Sequence, residues 1–191
     1  MQPHRFLRAV VFSIVVVGAL RIPVAAGQPQ VPPVSPEPAV FGEFKQRVQL
    51  YVKEQKALPR LKTTKKRKEI DERRHALAKN IRETRSNAKQ GDIFTPEVSE
   101  EFRRVIRGAF QGPSAPNVRK TIRQGEPVRS WHPIVNRDYP EHLPTTTVPP
   151  TLLLRLPQLP PEVAYGIVGH DFVLLDTEAR VVVDFIPGAI P

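Results

Sequence analysis

Asp71 and His75 stand one helical turn apart, a spacing that can present two metal ligands on one face. No third ligand holds a defined relation to them, and both fall on the polar side of their segment, so a solvated pair is the plainer account. A second group, His132, Asp138, His142, His170 and Asp171, lies in irregular and turn-like stretches that could converge by packing together. Imidazoles and carboxylates at one place can bind a divalent ion or act as acid and base. The competing account is turn polarity, since His170-Asp171 joins two apolar runs. Nucleophilic catalysis finds little to work with. Ser35, Ser86, Ser99, Ser114 and Ser130 lie in neither G-x-S-x-G nor S-x-x-K contexts, and the chain has no cysteine. The absence of thiols also excludes disulfides and thiolate metal sites. Gly108 and Gly112 lack the remainder of a phosphate-binding loop. No catalytic set and no cofactor site is therefore expected.

Positive charge is the more defensible signal. Lys65, Lys66, Arg67 and Lys68 form a run where a helix is expected to begin, and Lys79 and Arg82 continue it. Cations at a helix N-terminus oppose the helix dipole at about a few tenths of a kcal/mol each, which invites an anionic partner as explanation. Against this, exposed lysine and arginine are simply good helix formers. Residues 45–125 carry 22 Lys+Arg against 9 Asp+Glu, whereas residues 126–191 carry 4 against 8. Either the two halves attract each other and the surplus solvates helical faces, or the surplus is a footprint for a polyanion. Aromatic residues for base stacking are missing from the basic run.

The elements that would position these residues begin with a leader. His4, Arg5 and Arg8 precede an apolar run over residues 9–20 that closes on Val24-Ala25-Ala26, the order of a secretory signal peptide cleaved after Ala26. A dozen apolar residues fall short of the roughly 20 needed to span a bilayer. The expected location is thus the periplasm or the medium, with no membrane anchor after cleavage. Residues 27–38, with prolines at 29, 32, 33, 36 and 38, read as a stiff linker.

Helical periodicity then marks three stripes in a basic region over residues 39–125. Phe41, Phe44, Val48, Tyr51 and Val52 form the first. Ile70, Leu77, Ile81 and Ala88 form the second, over residues 66–89 with a stop at Gly91. Val98, Phe102, Val105, Ile106, Ala109 and Phe110 form the third, opened by Thr95-Pro96 and closed by Gly112-Pro113. A short segment near residues 115–124 follows. Antiparallel packing of the helices as a hairpin or bundle is the economical arrangement. Residues 126–161 hold nine prolines and should lie irregularly on the helices, anchored by Ile134, Tyr139 and Leu143, with a helical turn at 149–156. Residues 162–191 read as a three-stranded antiparallel meander with strands near 163–168, 172–175 and 181–186. The fold class is α+β, with 39–191 one domain.

Gly91-Asp92-Ile93-Phe94-Thr95-Pro96, Leu156-Pro157-Gln158-Leu159-Pro160-Pro161-Glu162-Val163-Ala164-Tyr165, Val168-Gly169-His170-Asp171 and Val183-Asp184-Phe185-Ile186-Pro187 together resemble a family of uncharacterised exported proteins of Gram-negative bacteria. The resemblance runs through most of the chain after the leader. It implies export and an α+β layout, and it brings no activity, cofactor or partner.

The expectation is an exported, non-enzymatic binding or scaffolding protein, with Lys65, Lys66, Arg67, Lys68, Lys79 and Arg82 as contacts to an anionic envelope component or another envelope protein. One alternative is a metal-dependent or acid/base hydrolase using His132, His142, His170 and Asp171. The other is a cytosolic nucleic-acid-binding protein, should the N-terminal segment not be a signal.

Overall fold

A computed structural model describes residues 38–63, 65–123, 131–140, 143 and 147–191. The leader and most of the linker lie outside the described residues. Helix α1 (Ala39–Ala57) turns Phe41, Phe44, Val48, Tyr51, Val52 and Gln55 inward. It ends at Leu58, which is extended ahead of Pro59 because the proline ring disfavours helical backbone before it. Helix α2 (Arg67–Thr84) follows, then α3 (Pro96–Gln111), α4 (Ala115–Arg123) and the single turn α5 (Pro150–Leu153). Thr95 caps α3 by accepting the Val98 N–H through its hydroxyl at 3.3 Å. Strands β1 (Val163–Val168), β2 (Asp171–Asp176) and β3 (Val182–Ile186) form an antiparallel sheet in the order β1-β2-β3. The β1–β2 connection is the dipeptide Gly169-His170, with φ at 59° on Gly169, a left-handed value that suits glycine.

The α+β layout is as expected, but the helices do not close on one another as a self-contained bundle. The stripes of α1 and α3 share one core with α5 and with Ile167, Phe172, Leu174 and Ile186 of the sheet. Phe41, Phe44, Phe94, Phe102, Tyr165 and Phe172 pack there ring against ring, with Phe44 and Phe102 at 5.0 Å between centroids. The stripe of α2 goes elsewhere: Leu77, Ala78 and Ile81 cover Ala179 and Val181 at the β2–β3 turn, with Leu58 beside them. The opposite face of the sheet, Val168 and Val173, is covered by Tyr139, Trp131 and Leu143. The segment 136–139 also runs along the start of β3, with the Asn136 N–H on the Val182 carbonyl at 2.8 Å and the Tyr139 N–H on the Arg180 carbonyl at 2.7 Å.

Several boundaries differ from the sequence reading. Helix α2 stops at Thr84 rather than near residue 89. The Arg85 carbonyl takes the Asn136 side-chain amide at 2.5 Å, which engages an acceptor that a longer helix would have used. Gly91 is therefore not the stop of α2; its φ of 93° belongs to the turn before α3. Ile70 is 40% exposed and Ile134 46% exposed, so Ile70 is not the core residue that periodicity suggested and Ile134 is not the anchor expected of the proline-rich segment.

That turn is joined to the sheet by one buried carboxylate. Asp184 lies in register with Leu174 and is fully buried. Its Oδ1 accepts the Gly91 N–H at 3.0 Å and the Phe185 N–H at 2.8 Å, and its Oδ2 accepts the Ile93 and Phe94 N–H groups at 2.8 Å each. Burial pushes this carboxyl above the usual aspartate range, and the four amide donors oppose that push. Replacing it strands several buried donors at once. Asp184→Ala is expected to cost about 3 kcal/mol or more in urea unfolding, while Asp92→Ala, which removes only a bond from the Lys89 N–H at 2.9 Å, costs at most about 1 kcal/mol.

Candidate functional site

The helical half is tied to the acidic C-terminal half through α1, the α1–α2 connection and the later turns of α2. Glu178, in the β2–β3 turn, accepts from Arg73 of α2 at 2.6 Å and from Arg60 of the α1–α2 connection. Arg82 pairs with Asp138, and Lys56 of α1 with Glu162 at 2.6 Å. The Lys56 hydrogen bond holds the Glu162 carboxyl below its usual range. Arg85 lies over the Tyr51 ring at 4.9 Å and donates to the Asn136 side chain at 3.1 Å and to the Val183 carbonyl at 3.4 Å.

A second buried aspartate ties α1 to the same turn. Asp176 Oδ2 accepts the Tyr51 hydroxyl at 2.7 Å and the Gln55 amide at 3.1 Å, while its Oδ1 accepts the Glu178 and Ala179 N–H groups at 2.9 and 2.6 Å. Arg180 completes the turn with φ at 54°. Burial, reinforced by the Asp176 charge and hydrogen bond, pushes the Tyr51 phenol far above its ordinary value.

Each described carboxylate of the C-terminal half is thus engaged: Asp138, Glu162 and Glu178 by cations of the helical half, Asp176 and Asp184 by buried donors, and Asp171 by the Gly188 N–H at 2.9 Å. The run 65–68 receives none of them. Lys66 reaches Glu69 at 2.9 Å and Lys68 reaches Glu72 at 4.0 Å, with the two lysine side chains 80% and 89% exposed. Among the described residues no carboxylate pairs with Lys65 or Arg67. Lys79 stands near Glu83 at 3.8 Å, also on the surface. Of the six basic residues singled out by sequence, residues 65–68 and Lys79 face outward, while Arg82 is spent on Asp138.

Among the described residues the imidazole and carboxylate candidates form no metal-holding group. Asp71 lies 3.4 Å from Arg74, and His75 is exposed. His132 is exposed and His142 lies outside the described residues. His170 uses Nδ1 on the Ile190 carbonyl at 2.9 Å, and its own carbonyl accepts the Ile190 N–H at 2.9 Å, so it fastens the C-terminal strap to the β1–β2 turn. Asp171 does the same through Gly188. Asp138 sits beside Val181, whereas the His170–Asp171 turn lies where Phe172 meets Ile186. Five residues of strand separate those ends, about 16 Å. Among the described residues no group of three or more His, Asp or Glu could hold a metal ion.

Asp176 and Asp184, absent from the sequence candidates, are the buried acids among the described residues. The available signal was a carboxylate inside an apolar, β-branched run, Val181-Val182-Val183-Asp184-Phe185-Ile186, at a position in register with core residues.

No protein-family model, no curated protein and no solved structure matches the chain.

The buried phenol gives a pH signature. Above pH 10.0 the unfolded chain releases the Tyr51 proton while the folded chain keeps it, so stability falls as pH rises past that value. Tyr51→Phe removes this contribution: its unfolding free energy is lower than wild type at neutral pH, by about 1–3 kcal/mol, and the gap narrows in urea titrations carried into the alkaline range.

Proposed function

We propose that this chain is an exported, non-enzymatic binding or scaffolding protein of the bacterial envelope that meets an anionic ligand through its basic helices. The observation that carries the reading is the disposition of charge. The acidic residues described in the C-terminal half are consumed within the fold, and the run 65–68 is left exposed, with Lys66 and Lys68 beside Glu69 and Glu72 of the same helix. A polyanion gains by replacing counterions at such a run. The leader-like order of His4, Arg5 and Arg8, the apolar run and Val24-Ala25-Ala26 supports export, as does the resemblance to exported proteins. Among the described residues no helix is long and apolar enough to cross a membrane.

Cell fractionation with N-terminal sequencing tests the placement. A chain beginning at Gly27 in the periplasm or medium is the expected result, and an intact Met1 chain in the cytosol contradicts it. Binding of inorganic polyphosphate, titrated against salt, tests the ligand class. The variant Lys65→Gln/Lys66→Gln/Arg67→Gln/Lys68→Gln should bind about tenfold or more weakly with a shallower salt dependence, and unchanged binding removes the basic run from the account.

A further inference from the structure

The α1–α2 connection and the first turn of α2 carry apolar side chains that the fold leaves uncovered. Leu61 is 52% exposed and Ile70 40% exposed. Ile70 lies on the stripe of α2 that Leu77 and Ile81 continue, but the sheet turn beneath, Ala179 and Val181, reaches only the later part of the helix. The stripe outruns its partner. Arg73 donates to the Thr63 hydroxyl at 3.3 Å, and Arg73 lies one turn beyond Ile70 on the same helix face. The connection therefore runs alongside the exposed start of the stripe.

Cations flank these two side chains in the sequence. Residues 60–74 hold 8 Lys+Arg against 3 Asp+Glu, and with Arg60 and Arg73 engaged by Glu178 six cations remain. The three acids, Glu69, Asp71 and Glu72, each stand near one cation, Lys66, Arg74 and Lys68 respectively. A soluble polyanion would gain from the charges and nothing from the leucine and isoleucine. A bilayer uses both, because its anionic headgroups attract the cations and its acyl boundary accepts apolar side chains.

We infer that this segment docks on an anionic phospholipid surface, with Leu61 and Ile70 entering the headgroup–acyl boundary and residues 62 and 65–68 meeting the phosphates. The inference deepens the reading of an anionic envelope ligand and rests on it.

Flotation of the purified chain from Gly27 onward with vesicles tests it, using phosphatidylcholine alone and an equal mixture with phosphatidylglycerol. The chain should float with the mixed vesicles and not with the neutral ones. Leu61→Ser/Ile70→Ser, which alters exposed positions, should weaken vesicle binding about tenfold while leaving polyphosphate binding and thermal stability unchanged. Vesicle binding that is insensitive to this double variant overturns the insertion of Leu61 and Ile70. Polyphosphate binding without any vesicle binding overturns the bilayer as ligand and leaves the anionic reading standing. Absence of both overturns the two together.

Discussion

The carboxylate of Asp184 fastens the turn that launches α3 to the strands of this fold. It draws four backbone N–H groups around itself, three from the turn that launches α3 and one from its own strand. A buried charge is expensive in isolation, and a partial cage of amide dipoles offsets that expense only while all of them stay in place. The turn must therefore adopt its left-handed Gly91, and α3 must start where Thr95 can cap it. From that fixed start α3 lays Phe102 and Ile106 into the core shared with α1 and the sheet. Asp176, two residues along β2 from the position opposite Asp184, repeats the device through Tyr51 and Gln55 of α1. Both aspartates project from the helix-facing side of the sheet, so α1 and the turn that launches α3 are each fastened to the strands.

The same economy governs the surface. Glu178, Glu162 and Asp138 meet arginines and lysines of the helical half at partly exposed sites, where each pair is worth no more than about 1 kcal/mol. Their larger effect is on what remains outside. These pairs take up Lys56, Arg60, Arg73 and Arg82, whereas residues 65–68 at the start of α2 stay exposed and meet none of the three acids.

Local patterns made much of the architecture legible. Alternation and turn residues marked the three strands, the Thr95-Pro96 and Gly112-Pro113 signals bounded α3, and the Phe41–Val52 stripe marked α1. What could not be read was decided by partners distant in sequence. Helix α2 gives way after Thr84 to a turn whose Arg85 carbonyl takes both the Ala88 N–H and the side chain of Asn136, some fifty residues away. Ile70 is left exposed because the turn that covers Leu77 does not extend beneath it. The two motifs around Gly91 and Asp184 were visible as motifs, yet nothing local indicates that the second supplies the acceptor for the first. The basic run was legible as exposed charge. The histidines and aspartates, by contrast, suggested a cluster, and among the described candidates strand register keeps Asp138 away from the His170–Asp171 turn.

The most direct test of the Asp184 connection is native-state hydrogen exchange of the Gly91, Ile93 and Phe94 amides. If the carboxylate holds the turn as described, these three exchange only through global unfolding, with the same opening free energy as the core amides of β2. Exchange of the three at loop-like rates, while β2 remains protected, would contradict the account.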